Sequence, residues 1–182
     1  MNIKIIIIKI KIFWLKLIGK INTEKTNILL KNNGHNSKNI IVIFPMDDSL
    51  FRVALYIFRD IDDIIQSYNN ELNIYYFVKD SFSKKFSIKT GIFKELIINK
   101  KGRIINYSEL FNFVKSREFD LVIDLARGDN LDCIKLISFI SSKLKVGFKN
   151  GISDSFYNIQ FSMGASGILE NGMRKMKEMI IT

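Results

Sequence analysis

The sequence predicts a doubly wound α/β domain, a mainly parallel sheet with helices on both faces. Three observations lead there. Short β-branched runs alternate along the chain with longer stretches of helical periodicity. Residues Phe119 to Phe148 form one complete strand–helix–strand unit. The strand runs are also apolar almost without interruption, the pattern of strands covered on both faces rather than one.

The elements follow in order. Met1 to Ile21 is very apolar yet carries Lys4, Lys9, Lys11, Lys16 and Lys20. Its longest uncharged run is four residues, against about 20 for a membrane span, and no small-residue cleavage site follows a clean apolar stretch. This arm is therefore a first helix packed on the body, an interfacial segment, or disordered. In the interfacial case Phe13, Trp14 and Leu17 would sit among headgroups with lysines toward anionic lipid. Asn22 to Asn39 is a polar linker with a turn at Asn32, Asn33 and Gly34.

Ile40 to Phe44 is a buried strand ended by Pro45. Met46, Asp47 and Asp48 turn into a helix whose stripe runs Leu50, Ala54, Ile57, Ile61, Ile64, Ile65 and Tyr68, about five turns of one face. Either acid suits the helix N-terminus as a cap. Leu72 to Val78 is a second strand, and Lys79 to Thr90 a basic loop with one short turn. A third strand lies within Ile92 to Asn99, centred on Glu95 to Ile98, followed by a turn at Lys100, Lys101 and Gly102. Tyr107 to Arg117 is a helix with Ser108 as its cap and Leu110, Phe111 and Val114 inward.

The Phe119 to Leu125 strand is broken only by Asp120 and Asp124. Asp129 offers an N-cap for the next helix, with Asp132 in its first turn. Cys133, Leu136, Ile137 and Ile140 are its stripe, and Lys143 and Lys145 meet its negative end. Leu144, Val146 and Phe148 alternate with lysines as a strand, reached by a right-handed crossover. Phe156 to Phe161 alternates weakly, and Leu169, Met173, Met176 and Ile180 mark a last helix over Ile168 to Ile181. The division expected is an arm and linker at 1–38, the α/β domain at 39–162, and a C-terminal helix at 163–182.

Composition excludes several functions. A chain of 182 residues suffices for one good core. Apolar residues at 47%, one proline and ten glycines exclude a low-complexity or disordered protein. Residues 1–40 hold eight lysines and one acid, a net +7, whereas the remainder carries only +3. The body shows no arginine–aromatic cluster, so nucleic acid is not an expected partner. Cys133 is the lone cysteine, which excludes an intrachain disulfide and fits a buried core residue in a reducing compartment. His35 is the lone histidine, without partners for a triad or a metal site. There is no Walker loop, no GxSxG and no metal-ligand spacing, so neither metal nor cofactor is expected.

Ligands of open α/β sheets sit beyond the carboxyl ends of the strands, where strand order reverses. Two loops qualify, Pro45 to Ser49 and Ala126 to Asn130, and they offer Asp47, Asp48, Arg127 and Asp129. A carboxylate beside an arginine can act as a general base or orient a hydroxyl; equally, all four side chains can cap helices or face water.

The segments IIVIFPMDDSLFRVALYIFRDI, FDLVIDL and, after a helix, SKLKVGF together resemble the amino-terminal half of glycosyltransferase family 9, the heptosyltransferase-like enzymes of lipopolysaccharide assembly. The likeness covers residues 39–150. It implies a GT-B architecture of two Rossmann-like domains, the first for the acceptor and the second for the nucleotide-sugar. It implies work at the cytoplasmic face of the inner membrane. The family's loop acid deprotonates the acceptor hydroxyl, a role that falls by position on Asp47 or Asp48, with Arg127 and Asp129 left for acceptor binding. Spacing does not choose between the two acids. The family places a glycine before that acid, where Met46 or Asp47 stands here. The sequence ends at Thr182, where the family begins its second domain, with the last helix as connector. The expectation is thus a hexosyl- or heptosyltransferase acceptor domain, inactive alone or completed by a separately encoded donor domain. The alternative is a non-catalytic α/β module whose arm binds a membrane or a partner.

Overall fold

The β-branched run at residues 40–43 is buried on both faces, which a strand achieves only inside a sheet covered from two sides. In the computed structural model the described residues are 3–21, 38–67, 72–126, 128, 130–162 and 168–181. Their strands are β1 (Lys38–Ile43), β2 (Leu72–Lys79), β3 (Ile92–Leu96), β4 (Glu118–Asp124), β5 (Ser141–Phe148) and β6 (Ile159–Phe161). They form one sheet in the order β3-β2-β1-β4-β5-β6, with every neighbouring pair parallel. The chain therefore runs outward from β1 to one edge, returns, and continues from β4 to the other edge. Ile40 pairs with Leu121 and Ile43 with Asp124, so β1 and β4 end side by side.

The helices are α1 (Ile3–Leu17), α2 (Asp48–Phe58), α3 (Ile61–Ser67), α4 (Tyr107–Lys115), α5 (Leu131–Phe139) and α6 (Ile168–Glu178). Strand alternation sorts the core into two layers. Ile40, Val42, Phe44, Tyr76 and Ile123 pack with Phe51, Phe58 and Ile61 of α2 and α3 and with Met173 and Met176 of α6. Ile41, Ile43, Phe77 and Val122 pack with Leu110 and Val114 of α4, Ile134 and Ile137 of α5, and Ile12 of α1. Cys133 is buried in the second layer.

Several expectations need correcting. The stripe from Leu50 onward is two helices, α2 and α3, not one. At the break Lys177 of α6 donates through Nζ to the Ile57 carbonyl (3.0 Å) and to the Asp60 carboxylate (2.8 Å), which gives the end of α2 a partner. The third strand is Ile92–Leu96, earlier than expected, and Ile98 makes only an isolated antiparallel bridge to Ile104. Asn106, not Ser108, precedes α4, and its side chain ties back to β3 by accepting from Ile97 N–H (3.1 Å) and donating to the Glu95 carbonyl (2.9 Å). The N-cap of α5 is Asn130, not Asp129: its side-chain oxygen accepts from Asp132 N–H (2.9 Å) and Cys133 N–H (3.1 Å). Ile140 lies just past that helix, though buried. The weakly alternating stretch contributes only Ile159–Phe161 as strand. The turn at Asn32 to Gly34, His35, Tyr68, Arg127 and Asp129 lie outside the described residues.

Candidate functional site

Two adjacent strand ends build the site. Pro45 has no N–H to continue the ladder and stops β1, after Phe44 N–H has donated to the Phe77 carbonyl (2.9 Å). Leu125 N–H donates to the Ile43 carbonyl (3.0 Å), which locks the end of β4 beside that of β1. Pro45, Met46 and Asp47 after β1 and Ala126, Gly128 and Asn130 after β4 thus open onto one cleft of about 340 Å³ at the carboxyl edge of the sheet. A third wall comes from the end of β2 at Lys79 and from Ile98 and Gly102 of the loop after β3. Asn130 joins two walls, since its Nδ2 donates to the Gly102 carbonyl (2.7 Å) while its oxygen caps α5.

The two candidate acids part company here. Asp47 lines the cleft and is the N-cap of α2. Its Oδ1 accepts from Ser49 N–H (3.0 Å), Leu50 N–H (3.1 Å) and the Ser49 hydroxyl. These donors fix the plane of the carboxylate relative to the helix. Asp48 is not among the cleft-lining residues. It pairs with Arg52 one turn along α2 and with Lys85 (3.0 Å) of the segment that follows β2. Hydrogen bonds from Lys85 and then Arg52 hold its carboxyl below the usual aspartate range.

Other residues that the sequence did not single out shape the cleft. Asp124, noticed only as an interruption in an apolar run, is buried in its wall. Its carboxylate accepts from Ala126 N–H (2.9 Å) and from the Tyr157 hydroxyl. Burial, and then the Asp124 charge, push the Tyr157 phenol well above its ordinary value, so it remains a donor. The Tyr157 ring lies flat against Gly147 of β5, where an added Cβ would fall 2.7–2.8 Å from three ring atoms. The glycine of the SKLKVGF segment is therefore the seat of the tyrosine that holds the FDLVIDL aspartate. Cys133 lines the cleft floor; burial, and next the nearby Asp124 and Asp132 charges, raise its thiol far from the thiolate a nucleophile needs. Lys79 brings a cation to the rim, 5.1 Å over the Phe82 ring. Among the described residues no three His, Cys, Asp or Glu side chains gather as a metal site would require.

No protein-family model matches the sequence and no curated protein matches it. Solved structures do. The E. coli heptosyltransferase WaaC with ADP aligns at a TM-score of 0.55 and 12% identity, over 79% of this chain and 46% of that one. The same enzyme with ADP-2-deoxy-2-fluoro heptose aligns at 0.55 and 12%, over 79% and 48%. A family 9 glycosyltransferase from Veillonella parvula aligns at 0.56 and 16%, over 80% and 42%. The chain thus spans a little under half the length of these proteins. At such identities it is the fold that is alike: this chain has the α/β fold seen in family 9 glycosyltransferases.

Proposed function

We propose that this chain is the acceptor-binding domain of a family 9-like glycosyltransferase, with Asp47 as the base. The observation that carries the proposal is the position of Asp47, the one of the two candidate acids that lines the cleft at the β1/β4 ends. The acceptor would lie in this cleft with one hydroxyl against Asp47, and the donor nucleotide-sugar would be held by a second Rossmann-like domain in the same polypeptide or a partner. Asp47 takes the proton of the acceptor hydroxyl as its oxygen bonds to the anomeric carbon. The bond from that carbon to the nucleoside diphosphate breaks, and the diphosphate leaves with the electron pair. Positioning supplies much of such a rate, and proton removal by a placed carboxylate adds about 10²–10⁴-fold. Lys79 at the rim suits an acceptor carrying negative charge. Arg127 and Asp129, next to Gly128 and Asn130 of the cleft wall, are proposed as further acceptor contacts.

The test is chemical-shift mapping of the labelled protein with deacylated lipopolysaccharide core oligosaccharide. Saturable shifts concentrated at Met46, Asp47, Ala126 and Asn130 are expected. Shifts scattered over the surface, or none at millimolar oligosaccharide, would favour the non-catalytic module instead.

A further inference from the structure

Helix α1 has apolar residues on two opposite sides, and only one of them is used by the protein. Ile12 is buried and Leu15 half-buried against the layer that holds α4 and α5. On the other side Ile7, Ile10, Phe13, Trp14, Leu17 and Ile18 are 47–63% exposed. Only three other large apolar side chains among the described residues are as open, Tyr56, Ile92 and Ile105, and none of them is on α1. At roughly 100° per residue the six exposed side chains fall in one arc of about 140°. The lysines border that arc on both sides, Lys11 along one edge and Lys9 and Lys16 along the other, all exposed, with Lys16 Nζ also donating to the Ser155 hydroxyl (3.3 Å). The linear sequence hides this order because the inner and outer apolar faces cancel, which leaves the lysines looking scattered.

We propose that this outer face of α1 lies in the interfacial layer of an anionic lipid membrane. The apolar arc would sit among the upper acyl chains, while the two lysine rims reach anionic headgroups. Charge decides for lipid over a second copy of this chain. Residues 1–23 contain no Asp or Glu, so two such faces set together would oppose lysine to lysine with nothing to neutralise them. A lipid surface supplies both the apolar layer and the counter-charge. No helix among the described residues is long and apolar enough to cross a membrane, so α1 would lie along the surface. The proposal is independent of the transfer reaction and stands or falls separately from it.

Trp14 is the only tryptophan in the chain, and its fluorescence reports directly on this face. The experiment adds vesicles of phosphatidylglycerol, or of phosphatidylcholine alone, to the full chain and follows Trp14 emission, iodide quenching and co-sedimentation. A blue shift with loss of quenching is expected on phosphatidylglycerol, at least tenfold tighter than on phosphatidylcholine. Lys9→Gln with Lys11→Gln should weaken that binding about 30-fold, and 1 M salt should weaken it similarly. Ile10→Ser with Leu17→Ser should weaken it at least tenfold, with circular dichroism unchanged because both side chains are exposed. The proposal is overturned if Trp14 stays fully quenchable on phosphatidylglycerol, or if both lipids bind equally. It is also overturned if Trp14 is already shielded without lipid in a dimer seen by light scattering.

Discussion

Replacing Gly147 with alanine tests the link between β5 and the cleft wall. The new Cβ would lie 2.7–2.8 Å from three atoms of the Tyr157 ring, including the carbon that bears the hydroxyl. Carbon atoms pack at about 3.5–4.0 Å, so the ring must retreat by about 0.7 Å or more. That movement pulls the hydroxyl off the buried Asp124 carboxylate. Overpacking costs about 1–3 kcal/mol, and a buried carboxylate short of one partner a further ~1–3 kcal/mol. Gly147→Ala should therefore lose about 2–6 kcal/mol in urea unfolding, with the denaturant slope unchanged. Tyr157→Phe alone should lose only the hydrogen-bond part, about 1–3 kcal/mol. In the Tyr157→Phe background Gly147→Ala should then cost less by that same amount, because the bond is already gone. Costs that add within ~0.5 kcal/mol would refute the coupling, since additivity marks independent sites.

Lys145 is buried in β5 with its Nζ donating to the Ile137 carbonyl (2.9 Å), and burial lowers its pKa to about 8. The unfolded chain keeps that proton up to the ordinary value of 10.5, so Lys145 by itself should add about 2–3 kcal/mol between pH 8 and 10, against the opposite contribution of the buried Cys133 thiol. The difference between the wild-type and Lys145→Met pH profiles isolates that gain; identical profiles would show that the amine is not buried in solution. Asn130→Ala removes the α5 cap and the tie to Gly102, and should cost about 1–2 kcal/mol, read as a fall of several degrees in Tm. Lys177→Met leaves the end of α2 uncapped, at about 1–3 kcal/mol. It also removes the partner whose hydrogen bond lowers the Asp60 pKa. Stability from that pair is present above the unfolded pKa of 3.8 and lost as pH falls through the lower folded value, so the variant should show a shallower acid limb in urea titrations.

The sheet was legible because burial on both faces writes itself as unbroken apolar runs: Ile40 to Phe44 with Pro45 behind it, Leu72 to Val78, and Phe119 to Leu125. The neighbouring ends of β1 and β4 followed from the topology of such sheets, and the pairing of Ile43 with Asp124 bears this out. What escaped the sequence depends on residues far apart in the chain. The stripe through Ile57, Ile61 and Ile64 keeps helical spacing across the break between α2 and α3, and the lysine that bonds to the end of α2 lies 120 residues away. Asp129 and Asn130 are equally good caps by type, and the Gly102 carbonyl that anchors the Asn130 side chain lies 28 residues earlier. Asp124 was visible but its partner was not, because Tyr157 follows 33 residues later in a stretch with little periodicity.

Asp47, the exposed end of the β1 loop in the cleft, is the carboxylate proposed to take the acceptor proton. The direct measurement is transfer of labelled sugar from nucleotide-hexose and nucleotide-heptose donors to endogenous membrane acceptor, in extracts whose own copy is replaced by wild type, Asp47→Asn or Asp48→Asn. Asp47→Asn should lower the rate about 10²–10⁴-fold, while Asp48→Asn, which loses only exposed pairs with Arg52 and Lys85, should stay within about threefold of wild type. Equal rates for all three, or a loss confined to Asp48→Asn, would contradict that role.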